Sequence, residues 1–517
     1  MSKAIVIFLS LFFIFSVACR TRSNEFVTVA LPETFSTFNT LTTDKSDAAA
    51  ERVRSLMFNS LVKKNEKFEY VGELAKEIKP GEDGKTITFV LQDNVKFHNG
   101  KEFTSADVKY TFDELFKSSG FKSSAFADTV EGKKVPHIVS IETPDAKTVV
   151  FTLSRASLQN QLLSNLVAIP IIPEGSVAQQ ANQPIGTGAF KFVAFDQSQN
   201  IVELAANPDF FGGAPKVPKL RIKTVADANS MQAELQSGTV DLAPLPTNLA
   251  PDSIKSLGNI PTLKVEQFNG SNIQYLQFNT ESAPLDNVKL RQAIACAINR
   301  EDIINRLLSG QAAIAHSILP VESWAYNAGT KYTFDEAKAK QLLQESGYKG
   351  ETIKFKLAAG NAAFSQISQV IQSSLKTLGV NVEIETVEPN VMRDQIAKGQ
   401  FQMNTGIWVG GNQDPIFLHD LFTTQKIPSE KTKVACCNRS RYSNSEVDKL
   451  VNEAFNSTNR EQAKDLYFKV QDIISAEVPM FPLWYPANMV VANKRIGNIK
   501  ISPSGDWSFI KDITVGQ

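Results

Sequence analysis

The residues able to do chemistry are few and scattered. Gly84-Lys85-Thr86 has the ending of a phosphate-binding loop, in which backbone N–H groups and a lysine cradle phosphates. The glycine such a loop needs five residues before Gly84 is Lys79, and a strand pattern follows where a helix should start. Gly186-Thr187-Gly188 lacks the third glycine and the acidic ribose partner of a dinucleotide site, and suits a tight turn before a strand. Ser373-x-x-Lys376 falls in a helical pattern without the Ser-Asp-Asn or Lys-Thr-Gly sets that complete a penicillin-binding site. There is no Gly-x-Ser-x-Gly elbow to supply a hydrolase nucleophile. His98, His137, His316 and His419 have no partner at metal-ligand spacing, and neither Cys-x-x-Cys nor His-Glu-x-x-His occurs, so zinc chemistry has little support. Of the four cysteines (Cys19, Cys296, Cys436, Cys437), the adjacent pair leaves three options open. Either member could bond to Cys296, the thiols could stay unpaired, or the pair could ligate a soft metal with no third ligand in view. No cofactor is expected, and the absence of a catalytic constellation points to a protein that binds rather than transforms.

The bulk properties agree. At about 150 residues per domain, 517 residues make roughly three globular units. Lys plus Arg and Asp plus Glu are both 54, so the basic excess of a nucleic-acid binder is missing. Hydrophobic residues are 42% and charged residues 21%, the balance of a chain that buries a core. The 34 Phe outnumber the 9 Tyr and 4 Trp, and Phe has no polar handle, so this aromatic material belongs mostly inside.

Residues 1–18 have the pattern of a secretory signal: Lys3, an apolar run over 4–15, and the small residues Ser16-Val17-Ala18. The run is shorter than the roughly 20 apolar residues a membrane span needs. Cys19 directly after Ser-Val-Ala resembles the lipobox of bacterial lipoproteins, with Ser16 where leucine is usual. The resemblance implies cleavage before Cys19, lipid on its thiol, and residues 19–25 as a tether at the extracytoplasmic face of a membrane.

The elements that follow interleave. Residues 26–31 and 85–91 alternate as strands, and 138–142 with 149–153 form a hairpin around Pro144-Asp145. Thr104 with Asp107, and Thr333 with Glu336, have capping-box spacing; Asn299 caps a third helix and Gly347 ends the second. Residues 445–476 form one long, mostly helical stretch. Strands at 354–357 and 380–386 flank a helix at 364–378, a βαβ order that implies an α/β fold with a partly parallel sheet.

Ordered motifs then carry a family resemblance. Phe58-Asn59-Ser60-Leu61-Val62 and Gly72-Glu73-Leu74-Ala75 come first. Asp83-Gly84-Lys85-Thr86-Ile87-Thr88-Phe89 leads into Val95-Lys96-Phe97-His98-Asn99-Gly100-Lys101-Glu102-Phe103-Thr104-Ser105-Ala106-Asp107-Val108. After these stand Pro184-Ile185-Gly186-Thr187-Gly188-Ala189-Phe190, Asn207-Pro208-Asp209-Phe210-Phe211, Phe278-Asn279, Pro284-Leu285, Arg291-Gln292-Ala293-Ile294-Ala295 and Ala297-Ile298-Asn299-Arg300. From near Phe26 to the C-terminus the chain resembles the peptide/nickel (dipeptide- and oligopeptide-binding) solute-binding proteins of ABC importers. The resemblance implies a two-lobed periplasmic-binding-protein fold, class II-like, with an extra subdomain on the first lobe. Lobe I would comprise 26–45, 175–268 and 488–517, the subdomain 46–174, and lobe II 269–487. The chain would cross between lobes near 265–276 and 484–491. It would act as a monomer that captures a peptide or other small molecule in the interlobe cleft and delivers it to an ABC permease.

Trp408-Val409-Gly410-Gly411-Asn412-Gln413-Asp414-Pro415 resembles the family's cleft segment. In peptide-binding members an aspartate three positions before the acid-Pro pair takes the ligand's α-ammonium, and here that position is Gly411. Glycine supplies no charge for a desolvated ammonium. Either Asp414 substitutes, or the ligand lacks an ammonium and is a metal chelate, haem or oligosaccharide. A signalling or chaperone-like binder without a permease is the alternative outside transport. The implied ligand-facing set is Phe35, Trp408, Gly411, Asn412, Asp414 and Tyr485.

Overall fold

Alternation of apolar side chains builds the first sheet, and continuous burial marks the centre of the second. The computed structural model describes residues 26–516 except 45–46, 119, 131–132, 361, 411–412, 430–436 and 458. The signal segment, Cys19, Gly411, Asn412 and Cys436 lie outside the described residues. Among those described, one sheet has seven strands in the order Phe190–Asp196, Ile201–Ala206, Lys219–Thr224, Phe26–Leu31, Leu242–Pro244, Asn488–Asn493, Leu263–Phe268. Phe26–Leu31 runs parallel to both of its neighbours, with Val29 opposite Ile222 and Leu242. The second sheet has six strands in the order Ala312–Ile314, Met480–Pro486, Ile273–Phe278, Met403–Trp408, Ile353–Ala358, Val382–Val387. Ile273–Phe278 is buried at every position, as a strand covered on both faces must be. Ile353–Ala358 and Val382–Val387 are parallel and joined through the helix Ala362–Leu378, the βαβ unit expected from sequence.

A four-stranded antiparallel sheet, Ala75–Pro80, Thr86–Leu91, Thr148–Leu153 and Ile138–Asp145, forms a separate layer on the first body. Its inward positions are Ile87, Phe89, Leu91, Val149, Phe151 and Leu153, and the Phe89 and Phe151 rings meet edge-on with centroids 5.5 Å apart. The helix Ser105–Lys117 covers it, opened by the Thr104/Asp107 capping box. Among the described residues no helix is long and apolar enough to cross a membrane.

Several recognisable motifs prove to be structural. His98 Nε2 lies 3.0 Å from the Gly188 carbonyl oxygen, and the Gly186 N–H points to His98 Nδ1. Burial holds this imidazole neutral, with its pKa down to about 4. Gly186 and Gly188 are needed because a Cβ at either would fall within 2.2–2.3 Å of the Met57 backbone. Arg291 is buried and donates to the carbonyls of Leu285, Asp286, Glu477 and Val478. Arg300 likewise holds the carbonyls of Ala315, Pro482 and Tyr332. Both guanidiniums tie separate segments of the second body together.

The chain passes between the two bodies twice. It leaves the first sheet at Phe268 and enters the second at Ile273; it leaves the second at Pro486 and re-enters the first at Asn488. The two passages touch. A Cβ on Gly270 would lie 2.0 Å from the Pro486 carbonyl oxygen, so only glycine lets the backbones approach. Asn488 Nδ2 donates to the carbonyls of Asn269 (3.0 Å), Ser502 (3.0 Å) and Pro503 (3.1 Å), and Ser271 N donates to Pro503.

Three local expectations change. The helix Glu336–Ser346 is capped by Asp335, whose carboxylate accepts from Lys338 N, rather than by Thr333. The single stretch over 445–476 is two helices, Ser445–Asn456 and Arg460–Glu477. Asn459 starts the second by accepting from Gln462 N, because Ser and Asn side chains compete for backbone groups inside a helix and favour its ends. Cys296 is a free, buried thiol and Cys437 is disulfide-bonded, so a bond from Cys437 to Cys296 is excluded.

Candidate functional site

The site is assembled from a hairpin on the first body and two segments of the second. The hairpin pairs Val62–Lys64 with Tyr70–Gly72, with Lys64 opposite Tyr70. Its tip is shaped by Asn65, whose side-chain oxygen accepts from Lys67 N (2.9 Å) and Glu69 N (3.0 Å). Phe68 at the tip is buried and holds φ +58°, a left-handed conformation unusual for an aromatic residue. This turn sends Lys64, Glu69 and Tyr70 toward the second body.

The facing loop carries Gln413, Asp414 and Pro415 just before the helix Phe417–Phe422. Asp414 Oδ1 accepts from Ile416 N at 2.9 Å, and the Tyr70 hydroxyl donates to Oδ2. Lys64 Nζ donates to Gln413 Oε1 (3.2 Å), whose amide in turn donates to Ser271 Oγ (2.9 Å). The third wall is the helix Arg460–Glu477. Arg460, Ala463 and Tyr467 recur at i, i+3 and i+7 and so share a face. Arg460 Nη2 lies 2.8 Å from Glu69 Oε1, and its guanidinium sits 4.7 Å over the Trp324 ring.

Between these walls lies a cavity of about 180 Å3, lined by Glu69, Tyr70, Asn160, Leu163, Trp324, Asp414, Pro415, Ile416, Arg460 and Tyr467, among others. Burial raises the Asp414 carboxyl above its ordinary range, only partly offset by the Lys64 charge. Burial correspondingly lowers Lys64, and Asp414 pulls it back. Tyr467 is pushed well upward, first by burial and then by the Asp414 charge. Among the described residues no cationic nitrogen lies within ion-pair distance of Asp414. The cavity is therefore lined by a buried carboxylate, a guanidinium whose charge that carboxylate feels, and three aromatic rings. Among the described residues no cluster of three or more His, Cys, Asp or Glu could hold a metal ion.

Of the residues expected from sequence, Asp414 lines the cavity. Trp408 ends its strand half-buried, edge-on to Phe417 with centroids 4.8 Å apart, and its buried Nε1 has no hydrogen-bond partner among the described residues. Tyr485 is 4% exposed in the core of the second body, its hydroxyl 2.6 Å from the carbonyl oxygens of Ser317 and Leu319. Phe35 packs against Phe38 and Phe195 within the first body. Sequence reasoning missed Lys64, Glu69, Tyr70, Trp324, Arg460 and Tyr467. The helical spacing of Arg460, Ala463 and Tyr467 was the one usable signal.

Comparison with known proteins fits this architecture. Haem-binding protein A of Haemophilus influenzae is 31% identical over 461 residues, covering 84% of this chain and 82% of its own. The probable D,D-dipeptide-binding periplasmic protein DdpA of Escherichia coli is 29% identical over 443 residues, with the same coverage of 84% and 82%. The structure of the oligopeptide-binding protein AppA of Bacillus subtilis, in complex with a nonapeptide, superposes with a TM-score of 0.71 at 24% identity, over 95% of this chain and 99% of that one, and shares the two-lobed fold. The family described as bacterial extracellular solute-binding proteins, family 5 (middle region), matches residues 69–429. With the motifs, the two bodies and the cavity between them, these matches show that the chain belongs to the family 5 solute-binding proteins of ABC importers, the peptide/nickel class, whose members bind solutes and are not enzymes.

Proposed function

We propose that this protein captures short peptides outside the cytoplasm and delivers them to an ABC permease, working as a lipid-anchored monomer. The observation that carries this reading is the Asp414 carboxylate: buried, lining the interlobe cavity and without a cation at ion-pair distance among the described residues. A buried carboxylate is costly unless it is paired. A peptide's α-ammonium entering the cavity supplies that pair, in place of the charge that Gly411 lacks. The names of DdpA and AppA point the same way. A second reading, a non-peptide solute such as haem, a metal chelate or an oligosaccharide, is favoured by the likeness to a haem-binding protein and by Gly411 itself.

Native mass spectrometry of protein purified gently from its own host is the test. Peptide masses retained on the folded chain are expected; a chelate, haem or sugar in their place overturns the peptide reading. Anchoring is tested separately. Cys19→Ala is expected to move the protein from the membrane fraction to the soluble one, and unchanged membrane retention refutes a lipid on Cys19.

A further inference from the structure

We infer that a small cavity inside the second body, between Arg300 and His316, binds a small monovalent anion of the halide class. The site shares no lining residue with the interlobe cavity, so it does not depend on which solute is captured there.

The first observation is a buried charge. Arg300 is 4% exposed, and a buried guanidinium is costly unless its charge is met. Among the described residues no carboxylate pairs with it or acts on its charge. Its bonds run to carbonyl oxygens: Nη1 donates to Ala315, Pro482 and Leu483, and Nη2 to Tyr332. Nε takes part in none of these bonds, so the guanidinium keeps a donor in hand. The Phe481 ring, 4.8 Å from the guanidinium carbon, covers one face of the group and leaves approach within its plane.

The second observation is an orphaned donor beside that charge. His316 Nδ1 is buried and has no hydrogen-bond partner among the described residues. Burial, then the charges of Arg300 and Lys331, press the His316 pKa down to about 4, so the ring is neutral and has one N–H to give. Both charges acting on it are positive, which makes the spot attractive to an anion.

The third observation is space. A cavity of about 10 Å3 is lined by Arg300, His316, Thr330, Tyr332, Ser475 and Pro482, among others. A second, of about 20 Å3, adjoins it, and His316, Ser475, Met480 and Pro482 line both. Room for about one water-sized particle selects a single-atom anion over a peptide carboxylate or an oxyanion. Water can accept from both donors, but only an anion also meets the guanidinium charge. Met480 and Phe481 supply apolar wall, where that attraction is stronger than in solvent. Bound there, the ion joins His316 to Arg300, which fastens the strand Met480–Pro486, and so stabilises the second body.

The experiment follows melting of the purified protein as sodium gluconate is replaced by sodium chloride or bromide at one ionic strength. Halide at about ten times its dissociation constant is expected to raise the melting temperature by about 3 °C, and the rise is expected to saturate. His316→Phe, which removes Nδ1 and fills the space, is expected to abolish the rise; His316→Gln, which keeps a donor, is expected to retain part of it. Bromide-soaked crystals of wild type are expected to show an anomalous peak within hydrogen-bond reach of Arg300 and His316. A melting temperature indifferent to halide overturns the inference. So does a rise that survives His316→Phe, or a water at the site in place of bromide. The bromide peak needs no variant, so it decides the case even if His316→Phe does not fold.

Discussion

Asp414→Asn is expected to lower affinity for peptides with a free amino terminus by about 100-fold, close to 2.7 kcal/mol. The size follows from what is removed. A ligand ammonium in the cavity is desolvated, and leaving such a charge without its partner costs several kcal/mol. Amino-acetylated peptides, which carry no ammonium, should lose far less. Isothermal titration of matched free and acetylated peptides measures the difference. The same change should leave the empty protein as stable as before or slightly more so. Burial raises the native Asp414 pKa above its ordinary value, so the unfolded chain holds the proton less tightly. This group therefore destabilises the native state increasingly as pH rises from its ordinary pKa through the raised one, and that penalty disappears with the amide. Binding has the opposite dependence. Affinity should rise with pH until Asp414 is fully ionised and fall again only when the peptide's own amine deprotonates, near pH 8. A large loss of stability, or equal losses for free and acetylated peptides, would make Asp414 a turn-forming residue only.

Gly270→Ala is expected to destabilise the protein by about 2–4 kcal/mol and to weaken every ligand together. The added methyl carbon would stand 2.0 Å from the Pro486 carbonyl oxygen and 3.1 Å from its carbon. Both are backbone atoms, so no side chain can rotate away. The Gly270 backbone is not in the left-handed region, so the effect comes from crowding alone. Relief requires the two interlobe passages to separate, which strains the Asn488 bonds to Asn269, Ser502 and Pro503. Because hinge closure couples the bodies to the ligand, the variant should show both a lower melting temperature and a common loss of affinity. Unchanged melting and binding would mean that the passages are looser than this contact implies.

Much of the fold was legible because it rests on local rules. Ile87, Phe89 and Leu91 alternate, Thr104 and Asp107 have box spacing, and Gly347 ends its helix with φ +68°; each device works within a few residues and appeared where expected. The site was much less legible because its geometry is non-local. Glu69 and Arg460 are 391 positions apart, and Tyr70 and Asp414 are 344 apart. Nothing in the neighbourhood of either partner announces the other. The aromatic candidates failed to gather for a related reason. The family resemblance implies that Tyr485 faces the ligand, but its hydroxyl donates to carbonyl oxygens inside the core of the second body. The helix break before Arg460 was missed although Asn456, Ser457 and Asn459 were visible in the sequence, and that break is what brings a guanidinium to the cavity.

The order of strands in the first sheet also sets a timetable for biosynthesis. Among the described residues Leu263–Phe268 is an edge strand whose sole neighbour in that sheet is Asn488–Asn493, made more than two hundred residues later. Leu242–Pro244 waits for the same strand on one side, and Arg495 then closes on Asp241 through two nitrogens at 2.9 and 3.1 Å. A growing chain thus cannot finish its first body until Asn488–Asn493 has been made, while the whole second body lies in the interval. Long-range pairing of this kind slows folding. Here it keeps the first body incompletely folded until the second body has been synthesised and Asn488–Asn493 has followed it.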